Sequence, residues 1–190
     1  MRVPSVRKIR CVWPAGRVLG EGPWWSTMEH ALYWVDIKNP AILRYRYSDG
    51  GKDIWESPQM VGAFAPRSSG GFVGAFKNGI HTFELSEAER RFSLTPFAIP
   101  EDHSDTDRFN DAKCHPDGSF WAGTMDDAEI DVRGWFYRLD GAGGLERKHG
   151  PFAVCNGPAF DSTGRMAYFT DSARRIIFRQ DLAAGRSSRL

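Results

Sequence analysis

The sequence predicts an all-β repeat fold, a β-propeller, and three observations support this prediction. Short aromatic runs recur at a spacing of roughly 40 to 50 residues, which is the period of a four-stranded propeller blade. The anchors of these runs are Val35, Val73, Trp121 and Phe169. Tight turns rich in Gly, Asn and Asp separate the runs, and residues 77–79 (KNG) give a strong hairpin signal. Helical periodicity is weak almost everywhere, and the regular spacing disfavours the alternative of an antiparallel sandwich.

Four units follow one another along the chain. Their strands are predicted in residues 31–37 and 42–47, 61–76 and 80–85, 108–125 and 134–140, and 154–172 and 175–182. Residues 42–47 alternate apolar and polar side chains, as a half-buried strand does. The charged residues 86–91 fit a loop better than a turn of helix. A further strand is predicted in residues 8–13, ahead of the first unit.

Composition excludes several classes of protein. With 190 residues, of which 41% are hydrophobic, the chain is predicted to form one domain spanning residues 1–190 around a real core. The net charge is +1 and the Lys and Arg residues are dispersed, so a nucleic-acid partner is not expected. No apolar run approaches the roughly 18 residues of a membrane helix. The three cysteines support neither a disulfide framework nor a zinc knuckle, which favours a reducing, cytoplasmic location.

Three oxygen-bearing side chains share one position within the repeat. Glu21 precedes the aromatic strand of the first unit by about the same distance as Asn156 precedes that of the fourth, and Asn110 lies at nearly that position in the third. Because the innermost strands of a propeller converge on its axis, we expect these side chains to meet there. Glu21 between two glycines also fits a surface turn, and Asn-Gly is a common turn dipeptide. Carboxylate and amide oxygens together suit a hard divalent cation.

Arg108, two residues before Asn110, has two interpretations. Arg108 could form a structural ion pair while Asn110 acts as a capping group. Alternatively, the planar guanidinium of Arg108 beside the amide of Asn110 could bind sugar hydroxyls or a carboxylate. Asp111 and Asp171 are expected to stabilise turns by accepting backbone N–H bonds. The histidines show no metal-ligand spacing, no GxSxG elbow is present, and Cys155 is expected to be a buried, inert thiol.

Three segments resemble, in order, the signatures of the senescence marker protein/regucalcin/gluconolactonase family. They are LGEGPWW, RFNDAKCHPDGSFWAGTM and CNGPAFDSTGRMAYFTDS. The resemblance, which extends to bacterial pentonolactonase-like members, implies a six-bladed propeller that hydrolyses sugar lactones to aldonic acids. It also implies one axial divalent cation (Ca, Mn, Zn, Mg or Fe). Glu21 and Asn156 match metal ligands of the family, and Arg108 and Asn110 match substrate-binding positions.

Two departures from the family pattern affect these expectations. Some members carry a glutamate where this chain has Ala128, and none of the neighbouring acidic residues is an evident replacement. The family's third metal ligand and general base is expected beyond Leu190, because about four of six blades are predicted in this chain. The 190-residue chain alone is therefore expected to have little or no lactonase activity.

An open arc of blades has further consequences. Residues 8–13 would close the ring in a complete protein, and open blade edges could support self-association. Two alternatives remain at this point. The chain could be a non-catalytic propeller remnant that binds metal, sugar or a protein partner, or a smaller propeller that has closed on itself.

Overall fold

The computed structural model describes residues 9–190 and contains sixteen β-strands. The first blade comprises β1 (Gly20–Ser26), β2 (Ala31–Asp36), β3 (Ala41–Arg46) and β4 (Lys52–Glu56), and the second β5 (Val61–Pro66), β6 (Phe72–Phe76), β7 (Gly79–Phe83) and β8 (Thr95–Ala98). The third comprises β9 (Asp107–Cys114), β10 (Phe120–Asp126), β11 (Gly134–Leu139) and β12 (Leu145–Phe152), and the fourth β13 (Cys155–Phe160), β14 (Met166–Asp171), β15 (Ile176–Asp181) and β16 (Arg186–Arg189).

Each blade is a four-stranded antiparallel meander in which neighbouring strands follow one another in sequence. The predicted all-β repeat is therefore confirmed. All four aromatic-run anchors lie in the second strand of their blade, at Val35, Val73, Trp121 and Phe169. Residues 86–91 form a loop, as expected. No helix in the part of the chain that the structure describes is long and apolar enough to traverse a bilayer.

Two features of the N-terminal region differ from a simple strand pattern. Residues 9–19 contain no strand in the structure, while Lys8 lies outside the described residues. Pairing of residues 8–13 with another blade stays a prediction. Residues 20–26, whose Gly and Pro interrupt the strand pattern in the sequence, nevertheless form β1. Pro23 is tolerated because β1 is the innermost strand of its blade, where one edge forms no sheet hydrogen bonds.

Aromatic side chains fill the three wedges between successive blades. Tyr33 of the first blade meets Phe64 of the second edge-to-face, with ring centroids 6.0 Å apart. Phe136 of the third blade packs against Phe169 of the fourth at 4.7 Å. Burying one such side chain contributes about 1.5–3 kcal/mol to stability. This packing fixes the angle between blades and brings the inner strands side by side.

A buried carboxylate ties the outer part of the first blade to the loop before β8. Asp53 is 3% exposed and accepts hydrogen bonds from Arg44 Nε at 2.9 Å and from Arg46 Nη1 at 2.6 Å. Arg90 of the loop donates to its other oxygen. Burial alone would raise the pKa of Asp53, but its arginine partners outweigh that effect and hold the pKa below its usual range.

Candidate axial site

Every inner strand is interrupted by a register shift at the same place. The shifts lie at Glu21–Trp24 in β1, Val61–Ala63 in β5, Phe109–Ala112 in β9 and Asn156–Ala159 in β13. An irregularity of this kind bends the strand and re-aims the side chains beside it. The expected site positions Glu21, Asn110 and Asn156 all lie at these irregularities, so the structure places them at equivalent points of three blades.

Two aspartates support the strand segments that carry Glu21 and Asn156. Asp36 and Asp171 each accept backbone N–H bonds from the residues two and three positions before the site residue. The donors are Val18 (3.0 Å) and Leu19 (3.1 Å) for Asp36, and Ala153 (2.8 Å) and Val154 (3.4 Å) for Asp171. Asp171 also accepts the N–H of Arg174 at 3.1 Å, which confirms its expected role in stabilising a turn. The first and fourth blades thus present their site residues in the same way.

A hydrogen-bonded chain joins the site residues of the third and fourth blades. Arg108 is 1% exposed, and its Nη1 donates to Asn110 Oδ1 at 2.6 Å. Asn110 Nδ2 in turn donates to Cys155 O at 2.7 Å and to Asn156 Oδ1 at 3.1 Å. Asn156 Nδ2 donates outward to Ser172 Oγ at 2.8 Å. The structure therefore brings Arg108, Asn110 and Asn156 together, and it orients the amide oxygen of Asn156 towards Asn110.

Asp111 links the third blade to the fourth. Its Oδ1 accepts the N–H of Ala112 at 2.8 Å, and its Oδ2 accepts the N–H of Gly157 at 2.7 Å. The expectation that Asp111 accepts backbone N–H bonds is confirmed, but the Gly157 bond crosses between blades, so its role is wider than stabilising a turn. Burial raises the pKa of the Asp111 carboxyl above its usual range.

Glu21 shares the axial region with Asp111. Burial is the main cause that raises the pKa of Glu21, and the nearby Asp111 carboxylate raises it further, against a smaller opposing effect of Arg108. Arg108 pairs instead with Asp127, and its Nη2 lies 3.9 Å from Glu129 Oε1. The Glu21 carboxylate is thus partly desolvated beside a group of like charge.

This donor set fits a hard divalent cation. The carboxylate of Glu21 and the amide oxygen of Asn156 are oxygen ligands of the kind that Ca²⁺, Mg²⁺ and Mn²⁺ accept, and a cation would offset the repulsion between Glu21 and Asp111. Within residues 9–190, no three His, Cys, Asp or Glu side chains form a metal-binding group. The fit therefore depends on mixing carboxylate and amide donors.

The second blade contributes a glycine, Gly62, beside its register shift. A Cβ atom on Gly62 would lie 2.2 Å from the carbonyl oxygen of Asn110, far inside van der Waals contact. The absence of a side chain allows β5 to approach β9 closely enough to support the Asn110 backbone. This contact could not be predicted from local sequence patterns, because Gly62 and Asn110 lie in different repeats.

A second cluster of charges lies where the second strands of three blades end. Asp127, just after β10, accepts Arg108 Nε at 2.9 Å and Lys38 Nζ at 2.8 Å, and Lys77 Nζ is 3.7 Å away. Burial would raise the pKa of Asp127, but the three cations outweigh it and lower the pKa. The sequence alone assigns no role to Asp127, Lys38 or Lys77. Their common signal is position, since each follows the end of a second strand.

The fold and the site together define a β-propeller arc whose inner strands carry oxygen donors and a buried arginine. The chain belongs to the SMP-30/Gluconolactonase/LRE-like family, whose family model matches residues 19–189. That match covers the blades and every candidate site residue.

Curated relatives and a solved structure are consistent with this membership. The chain is 33% identical over 175 residues to the 6-deoxy-6-sulfogluconolactonase of Pseudomonas putida, covering 92% of this chain and 58% of that protein. It is 32% identical over 170 residues to the L-arabinolactonase of Azospirillum brasilense, covering 88% and 55%. The crystal structure of a calcium-binding protein, regucalcin, from Agrobacterium tumefaciens superimposes with a TM-score of 0.82 at 24% identity, covering 91% of this chain and 59% of that one. The chain thus spans just over half the length of these relatives.

Proposed function

We propose that this chain supplies the metal-binding and substrate-binding groups of a sugar lactonase, which hydrolyses an aldonolactone to an aldonic acid. The observation that carries the proposal is the convergence of Arg108, Asn110 and Asn156 in one hydrogen-bonded chain at the inner strands. Relatives named as lactonases of a sulfogluconolactone and of L-arabinolactone support the class of substrate.

Glu21 and Asn156 are the proposed ligands of one divalent cation. Such a cation supplies Lewis-acid polarisation of a carbonyl and lowers the pKa of bound water. The ligand types accept Ca, Mn, Zn, Mg or Fe, and calcium is supported by the description of the structural relative as calcium-binding. Asp36 and Asp171 act as positioning residues, because they fix the backbone that presents the two ligands.

Arg108 and Asn110 are the proposed substrate-binding residues. Arg108 is held by Asp127 and Asn110, while its Nη2 lies beyond hydrogen-bonding distance of Glu129 and can donate to a sugar oxygen. A guanidinium that is already buried and oriented loses little side-chain entropy on binding. Asp111 is not proposed as a general base, because both of its oxygens accept backbone N–H bonds.

A second candidate function is a binding module that holds a metal or a sugar without turnover. It is favoured by Asp111, because both oxygens of this carboxyl group near Glu21 accept backbone N–H bonds and neither is free to act as a general base. Both candidates share the cation and the sugar, and they differ only in hydrolysis. A reducing, cytoplasmic setting is proposed for either, in keeping with three free cysteines.

Two measurements on the 190-residue protein test the proposal. The first is hydrolysis of glucono-, arabinono- and xylonolactone with added Mn²⁺, Ca²⁺, Mg²⁺ or Zn²⁺, measured as the release of acid over time. The second is binding of gluconate, the stable product, by calorimetry. We expect metal-dependent gluconate binding that Arg108→Met removes and that the control Arg186→Met on β16 retains. Metal-dependent turnover would support the lactonase over the binding module. Binding without turnover fits both candidates, because the 190-residue chain alone is expected to hydrolyse little or no lactone, and absence of binding and turnover would contradict the two candidates together.

A further inference from the structure

Three cationic side chains from three different blades meet one carboxylate, Asp127. Lys38 follows β2 in the first blade, Lys77 follows β6 in the second, and Arg108 lies in β9 of the third. Lys38 belongs to the first blade and Asp127 to the third, and the second blade lies between them. A direct contact between Lys38 and Asp127 is therefore possible only near the inner strand of the second blade. This cluster therefore lies over the inner strands, next to the proposed substrate residue Arg108.

The cluster has more positive than negative charge. Asp127 is the shared partner of the three cations, and the other nearby carboxylate, Glu129, reaches Arg108 only at 3.9 Å with its side chain 54% exposed. Counting these two carboxylates, each of which lies within 3.9 Å of a cation, one positive charge remains in excess; Glu21 is farther from Arg108 and is the proposed ligand of the divalent cation. A neutral sugar lactone gives this excess no partner, whereas an anionic group on the substrate would.

The two lysines remain available to a ligand. Their side chains are 33% and 35% exposed for Lys38 and Lys77, whereas Arg108 is buried. Lys77 Nζ lies 3.7 Å from Asp127, within ion-pair distance but beyond a hydrogen bond. Its ammonium N–H groups are therefore not committed to Asp127. An ammonium on a flexible stem acts as a point charge that can follow a carboxylate, sulfonate or phosphate.

We propose that Lys38 and Lys77 form a subsite for an anionic substituent at the end of the sugar remote from the lactone carbonyl. The inference rests on the proposed function and deepens it, since the preferred substrates are then lactones that carry a second, negatively charged group. Asp127 holds the two lysines over the site when no ligand is present. Arg108 connects this subsite to the groups that recognise the sugar.

The test compares three stable product analogues by calorimetry on the 190-residue protein at one ionic strength with Mg²⁺ present. Gluconate carries only the carboxylate that hydrolysis generates, glucarate adds a terminal carboxylate, and 6-phosphogluconate adds a terminal phosphate. We expect glucarate and 6-phosphogluconate to bind roughly tenfold more tightly than gluconate. Their second anionic group would form two partly exposed ion pairs, one with each lysine, and each pair contributes modestly to the affinity. The preference should shrink as salt is raised.

Lys38→Met and Lys77→Met should each lower the affinity for 6-phosphogluconate several-fold more than the affinity for gluconate. Lys148→Met, on the outermost strand β12, is the matched control and should leave the preference unchanged. Equal binding of the three probes, or a preference that survives both lysine substitutions, would overturn the subsite while leaving the lactonase proposal intact. If the wild-type protein binds none of the probes, the subsite fails, and the lactonase proposal fails with it when the hydrolysis assay also shows no turnover.

Discussion

Arg108 Nε donates a hydrogen bond to Asp127 Oδ1 at 2.9 Å, and this bond joins the two halves of the site. On one side, Arg108 Nη1 holds Asn110 in the hydrogen-bonded chain that reaches Asn156 of the fourth blade. On the other side, Asp127 holds Lys38 of the first blade. The buried guanidinium of Arg108 therefore links the oxygen donors of the inner strands to the charged cluster around Asp127.

Replacement of Arg108 should be costly even in the absence of any ligand. In Arg108→Met, the oxygen of Asn110 loses its donor and Asp127 loses its most buried cation. Because Asp127 is 22% exposed and keeps Lys38, we expect a loss of about 1–3 kcal/mol in the free energy of unfolding. Urea denaturation measures this loss. Arg186→Met on β16 is the control, and equal stability of the two variants would contradict the linking role.

Asp111 is expected to fix the orientation of the fourth blade on the third. In Asp111→Ala, the N–H of Gly157 loses its acceptor, which should cost about 1–3 kcal/mol. The Gly157 amide should also exchange its hydrogen faster than in the wild type, which NMR measures. Asp111→Asn keeps one amide oxygen and should be milder. Unchanged exchange in Asp111→Ala would show that this contact does not hold the blades together.

The close approach of β5 to β9 predicts a sharp difference between two glycines. Gly62→Ala places a Cβ atom against the backbone of Asn110, which neither strand can avoid by rotating a side chain. We expect a loss of about 1–3 kcal/mol in unfolding free energy, as for other overpacked sites, together with weaker gluconate binding. Gly141→Ala is the matched control, because nothing lies within 4 Å of its Cβ position. Equal stability of the two variants would mean that the strands can move apart freely.

The buried Asp53 predicts how stability depends on pH. Its pKa is lowered in the folded protein despite burial, because Arg90, Arg44 and Arg46 favour the charged form. A depressed pKa contributes stability that is present above the unfolded value of about 3.9 and is lost as pH falls through the lower folded value. Stability measured by urea unfolding should therefore decline below about pH 4.

Two controls separate Asp53 from the other carboxylates. Asp53→Asn should lose stability at neutral pH and show a flatter decline in acid, whereas Asp105→Asn in an exposed loop should behave like the wild type. Should the Asp53 variant not fold, an NMR titration of the wild-type carboxyl group gives the answer directly. A pKa at or above the ordinary value would contradict the proposed effect of the arginines.

The repeat could be predicted because its determinants are local. Three local signals predict the strands: the alternation of side chains, the KNG hairpin at 77–79 and the aromatic anchors such as Trp121. Each depends only on neighbouring residues, and together they predict the second strands of all four blades correctly. The position of Glu21 relative to Asn156 also followed from the repeat alone. The strand character of residues 20–26 is less evident, because inside a strand Pro23 is acceptable only at a sheet edge or a bulge, and both depend on the whole sheet.

The remainder of the site depends on contacts between blades. Asp111 accepts the N–H of a residue 46 positions later, and Lys38 meets a carboxylate 89 positions later. No local pattern distinguishes such side chains from solvated surface charges. The register shifts at the inner strands are also hard to predict, because they interrupt the period-two pattern on which strand prediction relies.

Glu21 and Asn156 are proposed to hold one divalent cation at the inner strands, and calorimetric titration with Ca²⁺ and Mn²⁺ measures this binding. We expect saturable binding of one cation per chain, weakened at least about tenfold in Glu21→Gln and in Asn156→Ala because a ligand is lost or its charge removed. Glu56→Gln, an exposed carboxylate at the end of β4, should bind as the wild type does. Absence of saturable binding, or equal affinity in all four proteins, would contradict the claim.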